Sequence, residues 1–369
     1  MNKNLRIFAF GGNEVSPSGI TDPLTGKSII ADIPMQWEKT IQTCRKIADI
    51  ICRHPDDLFI LTHGNGPQVG NILLRSQYAR PILHGMPLDV CVASTQGTMT
   101  YMIAQLNNEL AMRAIKRQAC GIVTQVVVNA GDPAFKNPAK FIGPAYSKKE
   151  AFEYKEKDGW DIKLYKKDSI GNEIWRRVVA SPNPLDIVEL GAIEALLEKG
   201  IIPITVGGGG IPVIKARTKV IGDEEVYEAG HEIIFKRKFN PKNEPASVYC
   251  GVEAVIDKDL ASALLGVKLI EKAKIKGKKS EVTLTIFTGE DGAKLNYQQP
   301  NEKPLRKLTV KEAEKLLNLK PCPFPAGSMG PKIQSAVNFI KGGGKAAYIT
   351  KTELFEDTLK GISGTTIVS

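Results

Sequence analysis

Residues 204–215 read ITVGGGGIPVIK, so that four consecutive glycines stand between two apolar runs. Each glycine inside a regular element costs about 0.5–1 kcal/mol through the chain entropy that is lost on folding. A flexible linker would mix glycine with serine and other polar residues, whereas β-branched Val206 and Ile211 flank this quartet directly. We interpret the quartet as the end of a buried strand that a ligand approaches closely.

Apolar, β-branched runs that end in glycine or polar residues recur along the chain. They start at Leu5 (LRIFAFGGN), Leu58 (LFILTHGNG), Gly121 (GIVTQVVVNAGD) and Ile201 (IIPITVGGGG). Residues 35–54 between them have apolar positions at helical spacing, and further helical patterns cover 94–117, 184–199, 309–318 and 330–341, with a late strand from Lys345. This alternation predicts an α/β protein with a parallel sheet, helices on both faces, and ligands beyond the carboxyl ends of the strands.

Two regions interrupt the alternation. Residues 131–183 are polar, basic and rich in proline and aromatic residues, and we interpret them as an excursion from the sheet. Residues 215–249 predict a long hairpin with its turn at or near Gly230. Both regions are assigned to a single domain that spans residues 1–369.

The composition limits the class of protein. With 42% hydrophobic residues the chain can build a sizeable core, and no stretch approaches the roughly 20 apolar residues of a membrane span. The six cysteines include no C-x-x-C pair and the four histidines have no metal-ligand spacing, so we expect free thiols and no structural metal. These features predict a cytoplasmic protein that does not bind membranes.

The formal net charge of +10 raises the possibility of nucleic-acid binding. Six lysines lie between Lys268 and Lys279, but no aromatic residues are interleaved with them as stacking platforms, and no nucleic-acid-binding motif is present. We therefore expect a solvated basic face, or attraction of small anionic substrates, instead of nucleic acid.

Glycine clusters end three of the predicted strands: Gly11 and Gly12 before Asn13, Gly64 and Gly66 around Asn65, and Gly207, Gly208, Gly209 and Gly210. Glycines there let backbone N–H groups face an anion, and the positive end of the next helix adds to the attraction. No Walker A loop and no G-x-G-x-x-G motif is present. The clusters predict a phosphate site of another kind.

Three lysines stand in distinctive segments. Lys140 lies in NPAKFIGP, Lys258 lies between Asp257 and Asp259 after an apolar run, and Lys332 in GSMGPK opens a helical pattern. A lone lysine is most often a surface residue, but charges at a strand end or helix start are typical of anion sites.

These segments together resemble the carbamate kinase family of amino acid kinases. The resemblance rests on ordered blocks from Gly11 to Lys332: GGN, HGNGPQVG, DVC, TQG, DPAFKNPAKFIGPAY, WRRVVASPNP, TVGGGGIPVI, GVEAVIDKDLASALL and PAGSMGPK. It implies a three-layer αβα sandwich with a mainly parallel open sheet, a small protruding subdomain at 131–183, and a homodimer. It also implies phosphoryl transfer between ATP and carbamate, giving ADP and carbamoyl phosphate, with Mg²⁺, and usually toward ATP in catabolism.

The resemblance also implies roles for individual residues. Gly11, Gly12 and Asn13 would contact the transferred phosphoryl group, and Gly64, Asn65 and Gly66 the carbamate. Lys140, from the protruding subdomain, would reach over the site, while Lys258 and Lys332 would neutralise phosphate oxygens. Asp257 would orient the lysines or Mg²⁺. The nucleotide would be held by the residues Gly207, Gly208, Gly209, Gly210, Thr288, Met329 and Lys332.

The sequence departs from the family pattern at three informative positions. Glu14 follows GGN where the family usually has alanine, and Gly289 and Lys294 replace an aspartate and a tyrosine in the segment that helps to hold the nucleotide base. A kinase of another small carboxylate or carbamoyl compound, and a phosphate-ligand sensor or partner subunit without turnover, are the alternative functions.

Overall fold

The computed structural model describes residues 4–17, 31–168, 170–229, 232–238, 240–242, 247–278, 281–325 and 327–369. Its helices are α1 (Gly12–Val15), α2 (Ile33–Arg53), α3 (Gly66–Ala79), α4 (Leu88–Ile103), α5 (Leu106–Met112), α6 (Pro133–Lys136), α7 (Lys148–Asp158), α8 (Leu190–Glu198), α9 (Lys258–Ile275), α10 (Val310–Leu317), α11 (Met329–Lys341) and α12 (Phe355–Leu359).

The strands are β1 (Leu5–Phe10), β2 (Leu58–His63), β3 (Ala119–Gly121), β4 (Gln125–Val128), β5 (Lys140–Ser147), β6 (Ile162–Lys167), β7 (Glu173–Val179), β8 (Pro184–Ile187), β9 (Ile202–Ile204), β10 (Ile211–Arg217), β11 (Lys219–Ile221), β12 (Glu224–Ala229), β13 (Glu232–Lys238), β14 (Ser247–Gly251), β15 (Val282–Phe287), β16 (Lys294–Leu295), β17 (Lys303–Pro304), β18 (Lys307–Thr309), β19 (Ala346–Thr350) and β20 (Thr365–Val368). Short 3₁₀ turns form at Gly207–Gly209 and Thr352–Leu354.

The central sheet has eight strands in the order β18-β20-β19-β15-β1-β2-β9-β3. Every pairing in it is parallel except that of β19 with β20. Parallel strands need crossover connections, which the helices supply here. The predicted fold class, an α/β sandwich with a mainly parallel sheet, is confirmed.

Strand β1 shows how the sheet serves two helical layers. Ile7 and Ala9 belong to the core shared with α8, α9, α10 and α11, whereas Phe8 and Phe10 belong to the core shared with α2, α4, α5 and α12. The ring of Phe8 lies 5.2 Å from that of Phe287 and 5.2 Å from that of Phe355. Because successive side chains of the strand point to opposite faces of the sheet, β1 connects the helical layers on both faces.

One predicted strand is wrong as a single element. The run from Gly121 divides into β3, at the edge of the central sheet, and β4, in a second sheet of order β14-β10-β4-β8. Thr124 lies between them, where its N–H donates to Gln96 Oε1 and its hydroxyl is 2.7 Å from Thr205 Oγ1. These side-chain bonds replace ladder bonds, so the chain changes sheets there.

Two helical patterns also need correction. The pattern at 94–117 is two helices, α4 and α5, and α4 begins earlier because Glu253 Oε1 accepts the N–H of Leu88. The pattern at 184–199 starts as β8, which pairs with β4, and becomes helical only at Leu190. Helices α10 and α11 and strand β19 agree with the sequence-based prediction.

Part of the excursion at 131–183 forms a third sheet of order β5-β7-β6, fully antiparallel, with α7 beside it. We call it the small sheet. Ile142 and Val179 of the small sheet pack against Val69 of α3 and Val92 of α4, and Arg177 pairs with Glu253 at 3.0 Å. The small sheet thereby lies against the body next to the carboxyl ends of β1 and β2.

Within the region 215–249, where we expect a hairpin, β12 pairs antiparallel to β13, and β11 lies beside β12. The turn of this hairpin, which we predicted near Gly230, and His231 lie outside the described residues.

The lysine-rich end of α9 is neutralised by acidic side chains. The Nζ atoms of Lys272 and Lys276 lie 3.4 and 2.7 Å from the carboxylate oxygens of Glu194. This pairing agrees with a solvated basic face.

The glycine quartet has a different cause from the one that we expected. Side chains at all four of its positions would collide with the protein. A Cβ at residue 207 would lie 2.5 Å from His63 Nε2, and those at 209 and 210 would overlap the Ile256 carbonyl oxygen and Val126. A Cβ at Gly208 would overlap the amide of Asn65. Packing of neighbouring elements, and not only approach by a ligand, requires these glycines.

Gly209→Ala should destabilise the protein by about 3 kcal/mol or more, because Gly209 combines a φ of +92° with the clash against Ile256. Gly200→Ala is the matched control, since Gly200 has a φ of +72° but open space around the added methyl group. It should cost only about 1–2 kcal/mol. Urea unfolding at neutral pH measures the free energy of unfolding of both variants. Equal losses of this free energy would contradict the packing explanation.

Candidate active site

The carboxyl ends of four neighbouring parallel strands meet at one edge of the central sheet. The order β15-β1-β2-β9 brings together Thr288 after β15, Gly11 after β1, Gly64 after β2 and the glycine quartet after β9. The starts of α9 and α11 lie at the same place, carrying Lys258 and Lys332. The convergence predicted from the glycine clusters is present.

A cavity of about 350 Å³ opens at this edge. Predicted site residues that line it are Gly11, Gly12, Gly64, Asn65, Gly66, Lys140, Gly208, Asp257, Lys258, Thr288 and Lys332. All three singled-out lysines therefore face one cavity, although they come from the small sheet, α9 and α11.

Other predicted residues do not line the cavity. Gly207, Gly209 and Gly210 are buried in packing contacts behind it, and Met329 packs against the core beneath α11. The backbone of Asn13 lies in α1, and its side chain is outside the described set. The contribution of these residues to nucleotide or phosphoryl binding stays a prediction that the cavity lining does not support.

Asp259 is the centre of the charged cluster, although it was not among the site residues expected from the sequence. One carboxylate oxygen accepts from Lys258 Nζ, and the other accepts from Lys332 Nζ at 2.8 Å. Its side chain is only 4% exposed, and those of the two lysines are 12% and 15% exposed. A single buried carboxylate therefore holds two ammonium groups side by side. The indication available in the sequence was the position of Asp259 directly after Lys258, where the structure has the start of a helix.

The pKa values follow from this arrangement. Burial alone would raise the pKa of Asp259, but the charges and hydrogen bonds of Lys258 and Lys332 outweigh it and lower the pKa to about 2. The pKa of Lys258 is lowered, chiefly by burial and also by the neighbouring charge of Lys332, while Asp259 opposes the shift. Asp259 therefore remains ionised and supports the charged form of Lys258.

Asp257 joins the third lysine to the same end of the cavity. Its Oδ1 caps α9 by accepting the N–H of Asp259 at 2.9 Å, and its Oδ2 accepts from Lys140 Nζ at 3.2 Å. Lys140 is 41% exposed and is carried by β5 of the small sheet. It is the least fixed of the three lysines.

Close backbone packing forms the floor of the cavity. A Cβ at Gly64 would lie 3.2 Å from the Gly12 nitrogen and 3.4 Å from Lys258 Cδ. Asn65 is buried, and its side-chain amide donates to Thr95 Oγ1 at 2.7 Å. Glycine at residue 64 thus keeps the backbone N–H groups of two helix starts near Lys258.

Glu14 adds a carboxylate to the cavity wall. It is 8% exposed, and its Oε2 accepts from Thr352 Oγ1 at 3.1 Å. Glu14 stands out in the sequence only as a departure from the family pattern, and in the structure it lies beside the glycines that follow β1.

His63 is buried behind the cavity and does not line it. Its Nδ1 lies 3.2 Å from the carbonyl oxygen of Gly64, and burial lowers its pKa to about 4. It is therefore neutral at physiological pH, with a packing role against Gly207.

The segment after β15, where the sequence departs from the family pattern, divides into two parts. Thr288 and Gly289 line the cavity, whereas Lys294 turns away to pair with Glu302 at 2.8 Å and Glu290 at 3.6 Å. Lys294 therefore stabilises the short β16–β17 ribbon. It does not take the place in the site of the tyrosine that the family pattern has at this position.

Within the residues that the structure describes, no three His, Cys, Asp or Glu side chains group as a metal site, and no helix is long and apolar enough to cross a membrane.

Comparisons with known proteins agree with this geometry. The carbamate kinase of Pyrococcus horikoshii is 40% identical over 365 residues, covering 98% of each chain, and carbamate kinase 2 of Enterococcus faecalis is 36% identical, covering 96% of each. The structure of carbamate kinase from Giardia lamblia bound to AMP-PNP superposes with a TM-score of 0.75 at 32% identity, covering 99% of this chain and 98% of that one. No family model matches the chain.

The fold and the cavity define a kinase with the amino acid kinase architecture: a mainly parallel sheet whose glycine-rich strand ends face buried lysines. Full-length relatives above 30% identity specify the group further, and the chain belongs to the carbamate kinase family.

Asp259→Asn should lower kcat/KM by about 100-fold or more, because two buried ammonium groups lose the charge that holds them together. The alkaline limb of the pH–rate profile should move to lower pH, since loss of the Asp259 charge lowers the pKa of Lys258 further and the ammonium is neutralised sooner. Asp186→Asn, which removes an exposed ion pair with Lys268, is the control. It should change neither kcat/KM nor the alkaline limb of the pH–rate profile. An unchanged alkaline limb in the Asp259 variant would contradict the assignment.

Proposed function

We propose that the chain catalyses reversible phosphoryl transfer between ATP and carbamate, with ADP and carbamoyl phosphate on the other side of the equilibrium. The observation that carries the proposal is the shared cavity of Lys140, Lys258 and Lys332 at the glycine-rich strand ends. Support comes from carbamate kinases that match the whole chain, one of them solved with AMP-PNP.

The main obstacle to this reaction is electrostatic. Carbamate is already an anion, so its oxygen needs no general base, but it must approach a polyphosphate to about 3–3.5 Å. Two unit charges about 4 Å apart repel by about 4 kcal/mol at an effective dielectric constant of about 20. Cations fixed near the transferred group offset this repulsion and the charge that develops on the phosphoryl oxygens.

The described residues divide this task between backbone and side chains. The amides after β1 and β2 sit at the positive starts of α1 and α3, so Gly12 and Gly66 can face oxygens without a side chain between. Lys258 and Lys332, fixed by Asp259, face the same space. Lys140 reaches the same end of the cavity from the small sheet, where it pairs with Asp257, and has the role of a third cation at the site.

Mg²⁺ fits this site as a companion of the nucleotide. Protein-bound Mg²⁺ that accompanies ATP is commonly held by one or two carboxylates together with phosphate oxygens and water. Glu14 and Asp257 are the cavity carboxylates suited to this, because their side-chain partners are a hydroxyl group and the partly exposed Lys140, whereas both oxygens of Asp259 are held by buried lysines. When bound, the ion would neutralise phosphate charge.

Lys332→Ala should reduce kcat by about 100- to 1000-fold with a smaller change in KM, because the contact strengthens as charge develops on the phosphoryl oxygens. A coupled assay that follows ATP formation from ADP and carbamoyl phosphate measures this. Lys341→Ala on the same helix, where Lys341 pairs with Glu314 at the surface, is the matched control.

A kcat of Lys332→Ala within a few-fold of the parent would remove Lys332 from the mechanism. Nucleotide binding without turnover by the parent protein would instead favour the sensor, and turnover only with another acceptor would favour a different acid kinase.

The same proposal includes a homodimer in the cytoplasm, working toward ATP in catabolism. The six free cysteines support a reducing compartment. Dimerisation is supported by an apolar surface at β3, the end strand of the described central sheet, where Val123 is 53% exposed and Tyr101 of α4 is 65% exposed. Such a surface is typical of an interface between copies.

Val123→Glu should shift the protein from dimer to monomer, since it introduces a charge into that apolar surface. Size-exclusion chromatography with light scattering gives the mass of each variant. Val220→Glu, at a 40% exposed position of β11, is the control. A Val123 variant that keeps the dimer mass would place the interface elsewhere.

A further inference from the structure

A second cavity, which we call the side cleft, adjoins the candidate active site. It has a volume of about 680 Å³ and lies between α3 and the small sheet. The two cavities have four lining residues in common: Asn65, Gly66, Lys140 and Val255. Asn65 and Gly66 belong to the segment expected to contact carbamate, so the side cleft opens beside the acceptor.

The walls of the side cleft are mainly apolar. Helix α3 contributes Val69 and Leu74, and the small sheet contributes Phe141, Ile142 and Ile174. Carbamate is far smaller than this space and has no apolar part. The side cleft therefore suits a longer ligand with a hydrocarbon body, for which each buried methylene group contributes about 0.8 kcal/mol.

The charged side chains that line the side cleft are all cationic: Lys140, Lys166 and Arg176. Arg176 lies over the ring of Tyr165 at 5.0 Å and donates to the Gly143 carbonyl oxygen at 2.7 Å, and Lys166 lies 6.0 Å from the same ring. Arg176 and Lys166 line the side cleft but not the candidate active site, and both are in cation–π contact with the Tyr165 ring. A negative group at the far end of the ligand would complement them.

We propose that the side cleft receives the N-substituent of a substituted carbamate, so that the chain also phosphorylates N-alkyl carbamates, preferably those whose alkyl chain ends in a carboxylate. This inference rests on the proposed function. A carbamate oxygen bonds to the γ-phosphorus of ATP as the bond from that phosphorus to the bridging oxygen of ADP breaks. The nitrogen keeps its substituent, and the products are ADP and an N-substituted carbamoyl phosphate.

The test is a series of acceptors made from bicarbonate with ammonia, n-butylamine, 4-aminobutanoate or 1,4-diaminobutane, with ADP release as the readout. The last three have four carbon atoms each and end in a methyl, a carboxylate and an ammonium group, respectively. We expect kcat/KM for the 4-aminobutanoate carbamate within about tenfold of that for carbamate, and about tenfold or more above that for the diaminobutane carbamate. Triethylamine with bicarbonate is the blank, because a tertiary amine forms no carbamate.

Two substitutions localise the effect. Leu74→Trp fills the side cleft and should lower kcat/KM for the butylamine and aminobutanoate carbamates by about tenfold or more, while carbamate turnover stays within about twofold. Leu83→Trp, at a 61% exposed position outside the side cleft, is the matched control. Lys166→Glu should reverse the preference between aminobutanoate and diaminobutane, and Lys163→Glu on the same strand should not.

The outcomes separate this inference from the proposed function. If the protein turns over carbamate but none of the three alkyl carbamates, the inference is overturned and the proposed function stays intact. Equal losses for carbamate and alkyl carbamates in Leu74→Trp also overturn it, as does an acceptor order that Lys166→Glu does not change. Absence of ADP release with carbamate itself overturns both.

Discussion

The carboxylate of Asp259, shared between Lys258 and Lys332, is the constraint on which the candidate site depends. Two ammonium groups in this position oppose each other and also oppose the positive ends of α9 and α11, where cations are unfavourable. Taking them out of water adds a penalty of several kcal/mol per ion. One buried anion between them offsets these costs, and the result is a pair of ammonium groups held side by side at the cavity.

The glycines support this arrangement in two distinct ways. Gly64 brings the start of α3 against the start of α1 and against the stem of Lys258, which places amides and ammonium groups around one space. Gly209 and Gly210 lie further back, where they let the chain after β9 pack against Ile256 and Val126. Ile256 immediately precedes Asp257, so this packing also fixes the start of α9. Positioning of the charges thus begins behind the cavity.

Much of the fold was predictable from local sequence, because β1, β2, α10 and α11 have strong periodicity and clear boundaries. The division of the run after Gly121 was not, since it depends on the Gln96 side chain, which is distant in sequence. Glycine clusters and distinctive lysines identified the site. Its central carboxylate was missed, because only the folded chain shows that Asp259, and not Asp257, lies between two lysines. Packing contacts account for all four glycines of the quartet, of which Gly208 also lines the cavity.

Strand β1 combines structural and functional constraints in one segment. Its alternate side chains are embedded in both helical cores, and its last residue is followed directly by Gly11 and Gly12 at the cavity. Local opening free energies in proteins range from near zero at frayed ends to the global value in central strands. The amides after β1 that face the cavity therefore belong to the most cooperative part of the molecule, and their geometry persists for as long as the domain stays folded.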